Sequence, residues 1–155
     1  MRIRWTIAPL LLVYLWTQAT AGMATGAGCP SISVFQTVDE QGARQSLTAI
    51  GEALAHGDTK GLQRYFSGKV FLTLPTGENG YYSGEQSFFI LRNFLSVHMP
   101  FAFEFTTTNV SSESVYGVGA LKYTKRGQRG TAQVFVSLAA SDRGWRINQI
   151  TIAQR

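Results

Sequence analysis

Two histidines and nine acids supply the acid–base capacity of this chain. Acid–base catalysis needs such a group next to a reacting proton, with its pKa tuned by burial or by neighbours. His98 ends an expected helix just before Met99-Pro100. There it could face a cavity as an acid or base, partnered by Tyr82 or Tyr116. The plainer alternative is a histidine that only terminates its helix. Glu104 stands between Phe103 and Phe105 on an alternating strand. Its side chain serves as a base if that face lines a cavity, and as a solvent-facing group if it does not. His56 falls at the end of the first helix, where a cation meets the negative helix terminus. Most of the other acids fall in expected caps, turns or lead-in. His98 and Glu104 are thus the catalytic candidates, and the scarcity of ionisable groups weighs against an enzyme.

Metal and cofactor chemistry find little support. There is no His-x-His and no His-Glu-x-x-His spacing, so no metal centre is expected. Gly117-Val118-Gly119 lacks the third glycine and the strand-to-helix context of a dinucleotide loop. Glycines within a strand instead allow a bend or close packing. No cofactor is expected.

Large apolar groups are plentiful. Aromatic residues make up 12% of the chain, and ten of them are Phe. Phe71, Tyr82, Phe89, Phe103, Phe105 and Tyr116 are the candidates to line an apolar pocket; ordinary core packing is the competing reading for each. Lys122, Lys125, Arg126 and Arg129 cluster at an expected hairpin, with Arg143 and Arg146 on the following turn. They are candidates for contact with anionic lipid or another polyanion, against the alternative of solvated charges that protect a sheet edge. They lack the aromatic interleaving of a single-strand groove, so nucleic acid is not expected.

The elements that must position these residues follow from periodicity. Leu47, Ile50 and Leu54 share a helical face over 43–56, with Gly57 as its stop. Asp58 caps a second short helix carrying Leu62, Tyr65 and Phe66. Lys69 to Leu74 alternates as a strand. The segment 75–80 turns, and Tyr81-Tyr82 begin a returning strand. Ser83 and Gln86 have the spacing of a capping box and open a helix that ends near His98. Four strands follow: one from Phe101, one over Val115–Tyr123, one carrying Ala132, Val134, Val136 and Leu138, and one over Trp145–Ile152. In the last, the phase shifts between Ile147 and Ile150, which predicts a bulge. Helices packed on one face of a sheet give an α+β layer arrangement.

The N-terminus reads as a targeting segment. Arg2 and Arg4 precede an apolar run from Trp5 to Trp16, and Ala19-Thr20-Ala21 supplies a small-x-small cleavage site. The run is shorter than the ~20 residues of a membrane span. Residues 1–21 are therefore expected to be a signal peptide and 22–42 a flexible lead-in, with the domain over 43–155. Removing the leader takes two arginines from a net charge of +5, leaving a mildly basic chain. Cys29 is the only cysteine, so no intramolecular disulfide forms. Gly26-Ala27-Gly28-Cys29 loosely resembles a lipoprotein box, which makes lipid anchoring through Cys29 the lesser alternative to a periplasmic or secreted protein.

One stretch carries a resemblance. It runs through Gly51-Glu-Ala-Leu-Ala-His-Gly-Asp58, Leu62 with Tyr65-Phe66, Val70 to Pro75, Tyr82-Ser83-Gly-Glu-Gln86, and Leu91 with Asn93-Phe94. It continues through Tyr116-Gly-Val-Gly119 and Ile147-x-x-Ile150-x-Ile152. Over roughly residues 45–154 the chain resembles the bacterial exported family called domain of unknown function 4783, which is similar to the nuclear transport factor 2-like superfamily. The resemblance implies a cone-like, cystatin-like roll, with three helices on a curved, mainly antiparallel sheet of five to six strands. It also implies a concave mouth, used in related folds for ligands, catalysis or pairing. The expected function is a non-catalytic exported domain that binds a small apolar ligand or a protein partner through that concave face, with a homodimer or a peripheral envelope contact in view. The alternative is a proton-transfer enzyme of isomerase or dehydratase type, using His98 or Glu104.

Overall fold

The computed structural model describes residues 31–111 and 114–154. The expected leader, its cleavage site and Cys29 lie outside them. Three helices and six strands follow in the order α1 (Ser31–His56), α2 (Thr59–Gln63), β1 (Phe66–Thr73), β2 (Asn79–Ser83), α3 (Gly84–His98), β3 (Pro100–Val110), β4 (Val115–Lys125), β5 (Gln128–Ser141) and β6 (Gly144–Gln154). Residues 31–42, expected in the lead-in, are helical.

Local chemistry sets the helix boundaries. Asp58 caps α2 by accepting from the Gly61 amide at 3.0 Å. Ser83 and Gln86 form the expected capping box of α3: the Gln86 amide donates to Ser83 Oγ at 3.2 Å, and the Ser83 amide to Gln86 Oε1 at 3.0 Å. Met99 ends α3 in a left-handed conformation, and Pro100 then starts β3. Phe66, expected on the second helix, instead begins β1, where it is buried.

The strands form one curved sheet in the order β2-β1-β6-β5-β4-β3. All neighbours are antiparallel except β1 and β6, which are parallel. The sheet is therefore mixed: the last strand inserts between the first hairpin and the β3–β5 meander. Ser137 pairs with Gln149 and Leu138 with Ile147, so the extra residue Asn148 is the expected bulge in β6.

The helices cover one face. Ile50 and Leu54 from α1, Leu91, Phe94 and Leu95 from α3, and Val70, Leu72, Leu121, Val134, Val136, Ile150 and Ile152 from the sheet are buried together. From Val115 to Tyr123 on β4 and from Ala132 to Leu138 on β5, buried residues alternate with exposed or partly exposed ones, so the two faces can be assigned residue by residue there.

Candidate functional site

His98 lies in the covered layer and is 1% exposed. Its ring stacks on Phe94 with centroids 4.0 Å apart and meets the edge of Tyr123 at 5.0 Å. Nδ1 is 2.8 Å from the Phe94 carbonyl, and Nε2 is 3.2 Å from the Gln154 amide nitrogen. A carbonyl can only accept and an amide nitrogen can only donate. In this pattern Nδ1 donates to the Phe94 carbonyl and Nε2 accepts from the Gln154 amide, so both ring nitrogens have a partner. The partners are Phe94, Tyr123 and Gln154, not the expected Tyr82 or Tyr116. One side of the ring borders an open depression of about 550 Å³, shared with Thr76, Glu78, Ile90, Asn93, Val97 and Lys125.

Glu104 lies elsewhere. It is exposed and pairs with Ala120, whose neighbours Gly119 and Leu121 are buried toward the helices. Glu104 therefore points away from the covered layer, on the opposite face of the sheet from His98. The two catalytic candidates do not meet. Among the described residues no cluster of three or more His, Cys, Asp or Glu could hold a metal ion.

The six aromatic candidates separate into three groups. Phe103 and Phe105 point into the covered layer, packed edge to face with centroids 4.7 Å apart. Gly117 and Gly119 make room for them. A methyl group on Gly117 would lie 2.4 Å from the Phe105 ring, and one on Gly119 would lie 2.5 Å from both the Phe103 ring and the Glu104 carbonyl. The rings occupy the volume that side chains at 117 and 119 would take, which is the close packing expected of those glycines. Tyr82 pairs with Val70 and packs against the core from the same side.

Phe71 and Tyr116 lie on the uncovered face. Phe71 meets Tyr81 edge on at 5.0 Å, and Tyr116 stacks on Phe135 at 5.8 Å. Phe89 is 51% exposed on α3, with the Arg92 guanidinium 4.8 Å from its ring centre. No single pocket gathers the six.

The basic candidates do come together, around the β4–β5 hairpin. Lys125 pairs with Gln128 across a two-residue turn in which Arg126 and Gly127 have φ of 52° and 80°. That is a mirror-image turn, the type whose twist suits a hairpin. Lys122 and Arg129 line an open groove with Phe101, Gly130 and Thr131, and the Arg129 guanidinium sits 5.8 Å from the Phe101 ring centre.

Two features escaped the sequence reading. Arg64 joins Arg143, Arg146, Ser67 and Asp142 around a polar groove at the other end of β5, where Arg146 donates to the Arg64 and Arg143 carbonyls. The 82-residue separation of Arg64 from Arg146 gave no signal. Val97, Met99 and Phe101 are each more than half exposed beside the hairpin. The break at Met99-Pro100 was the available clue, since it takes the chain out of the helix before the strand register is set.

Known proteins match at the level of fold and family. A Bacteroides uniformis protein of the DUF4783 family superposes with a TM-score of 0.64 at 19% identity, covering 70% of this chain and 95% of its own. A putative isomerase from Bacillus subtilis superposes with a TM-score of 0.60 at 11% identity, covering 74% and 86%. An LEH-like epoxide hydrolase from M. tuberculosis gives 0.55 at 14% identity, covering 74% and 84%. Structures built on the nuclear transport factor 2-like fold also match, one at 0.58. No curated protein matches the chain. The profile described as domain of unknown function (DUF4783) matches residues 47–153, more than half of the sequence, and the chain belongs to that family.

Proposed function

We propose that this domain is a non-catalytic, exported binding module whose partner is a protein, with a second copy of the chain as the first candidate. The observation that carries the reading is the uncovered face of the sheet. There the Tyr116–Phe135 stack, the Phe71–Tyr81 pair and Val118 stand among Gln149, Thr151, Ser137 and Gln133, and among the described residues no element is laid over them. Gln149 and Ser137 lie between the two aromatic groups, and aromatic side chains set in a polar face are a feature enriched at interfaces. The size is adequate. Six strands spaced by about 4.8 Å, three of them eleven residues long at about 3.3 Å per residue, make a face of roughly 24 by 36 Å, near the ~800 Å² per partner of a stable complex.

On the covered face Phe103 and Phe105 take the space beside Gly117 and Gly119, and the small-ligand arm of the expected function keeps the depression lined by Ile90, Phe94, Val97 and His98. The proton-transfer alternative retains one observation in its favour, the depression beside His98 that also holds Glu78 and Lys125. The putative isomerase and the epoxide hydrolase share the fold, and their chemistry does not transfer with it.

Native mass spectrometry and sedimentation of the processed protein test the reading. A dimer at micromolar concentration is expected, with Phe135→Lys shifting it to monomer while thermal unfolding stays cooperative. A wild-type monomer that also retains a small molecule would overturn it in favour of the ligand arm.

A further inference from the structure

We propose that the end of the molecule formed by the α3–β3 junction and the β4–β5 hairpin docks on an anionic lipid bilayer as a peripheral contact. The inference rests on apolar and cationic side chains placed side by side at one end of the sheet.

Val97, Met99 and Phe101 are 54%, 54% and 52% exposed, three of the five most exposed large apolar residues of the described chain. They fall within five consecutive positions where α3 hands over to β3. The hairpin is tied to that junction: the Thr124 amide donates to the Met99 carbonyl at 3.1 Å, and Pro100 pairs with Tyr123. The cations interleave with the apolar groups. Phe101 shares one groove with Lys122 and Arg129, and Val97 shares the neighbouring depression with Lys125. Arg126 occupies the turn itself. Glu78 lines the depression beside Lys125 and is the acid that faces this end there.

Each component has a role at a lipid surface. Exposed Met and Phe side chains enter the acyl boundary, as the apolar side of an interfacial helix does. Lysines and arginines stay at headgroup level with their stems along the apolar groups. A polyanion groove for nucleic acid would present cations along a track of stacked aromatics; here the apolar groups are exposed beside the hairpin, and the non-aromatic Val97 and Met99 are among them. Among the described residues no helix is long and apolar enough to span a bilayer, so the contact proposed is one of surface docking.

Vesicle co-sedimentation tests it, using the chain as recovered from cells and vesicles of phosphatidylcholine alone or with phosphatidylglycerol. Any contribution from the apolar run Trp5–Trp16 is common to all variants in the comparison. Binding to the mixed vesicles and weak retention on the neutral ones are expected, with binding falling as salt is raised. At about fivefold per cation near the surface, Lys125→Gln, Arg126→Asn and Arg129→Gln together lower binding by roughly a hundredfold. Asn is chosen at 126 because it tolerates the turn's positive φ. Met99→Ser with Phe101→Ser is expected to lower binding about tenfold without altering the salt dependence. Arg143→Gln, at the opposite end of β5, leaves it within about twofold. Circular dichroism confirms that each variant is folded. Equal binding of wild type and the triple charge variant overturns the proposal, as does retention of heparin but not of anionic vesicles. Displacement from the vesicles by millimolar inorganic phosphate also overturns it, by assigning the cations to a free anion.

Discussion

Gly117 and Gly119 are the residues on which the interior depends. Each faces an aromatic ring of β3 at a distance no Cβ tolerates, and at Gly119 the Glu104 backbone carbonyl is equally close. Side chains in a packed layer cannot retreat without cost. Gly117→Ala is expected to destabilise by about 2 kcal/mol in urea unfolding. Adding Phe105→Leu is expected to recover part of that loss, giving a favourable coupling of about 1 kcal/mol between the two sites. Additive losses would mean that the ring is not what the new methyl meets. Ser87 offers the reverse case: its hydroxyl is buried without a hydrogen-bond partner among the described residues. Ser87→Ala is expected to raise stability by about 1 kcal/mol, since it removes an unsatisfied polar group and improves helix propensity.

At the scale of elements, most assignments were legible in the sequence, because each rested on local chemistry. The spacing of Ser83 and Gln86 predicted a cap that forms with both of its hydrogen bonds. Ser83→Ala is expected to cost about 1 kcal/mol, measured as a lowered urea midpoint with an unchanged m-value. The bulge in β6 was readable because a one-residue insertion flips the buried face from Ile147 to Ile150. The exposure of Phe101 was not readable. It belongs to an alternating Phe101-Phe103-Phe105 series, yet the pairing shifts between Pro100 and Ala102, and only the two later rings reach the core. Phe66 was likewise placed on a helix, since a short apolar pattern after Leu62 does not distinguish the last turn of a helix from the first residue of a strand. Arg126 holds a φ of 52° in the hairpin turn. Arg126→Asn is expected to stabilise by about 0.5 kcal/mol, because asparagine adopts this conformation more readily.

At the scale of the molecule, the sheet is open and its last strand in sequence is central. Parallel pairing of β1 with β6 places the C-terminal strand inside the sheet, flanked on both sides, while β2 and β3 form the edges. Native-state hydrogen exchange is expected to show the slowest amides in β4, β5 and β6, near Val134, Val136 and Ile150, and the fastest strand amides in β2. Early exchange of β6 would contradict its central position.

Composition and pattern by themselves determined the class of this protein. Alternation and helical spacing required helices on one side of a sheet, because each element had a single apolar face to bury. The scarcity of histidines and acids left two catalytic candidates, and the basic hairpin was visible as a run of neighbours in sequence. Tertiary structure decided what those residues face. The order of strands, and with it the insertion of β6, depends on contacts between segments far apart in the chain. So do the separation of His98 from Glu104 across the sheet, the packing of Phe103 and Phe105 over Gly117 and Gly119, and the meeting of Phe101 with Lys122 and Arg129. A sequence pattern states which side of an element is apolar. Which other element covers that side, and which apolar groups are left uncovered, is set only when the whole chain packs.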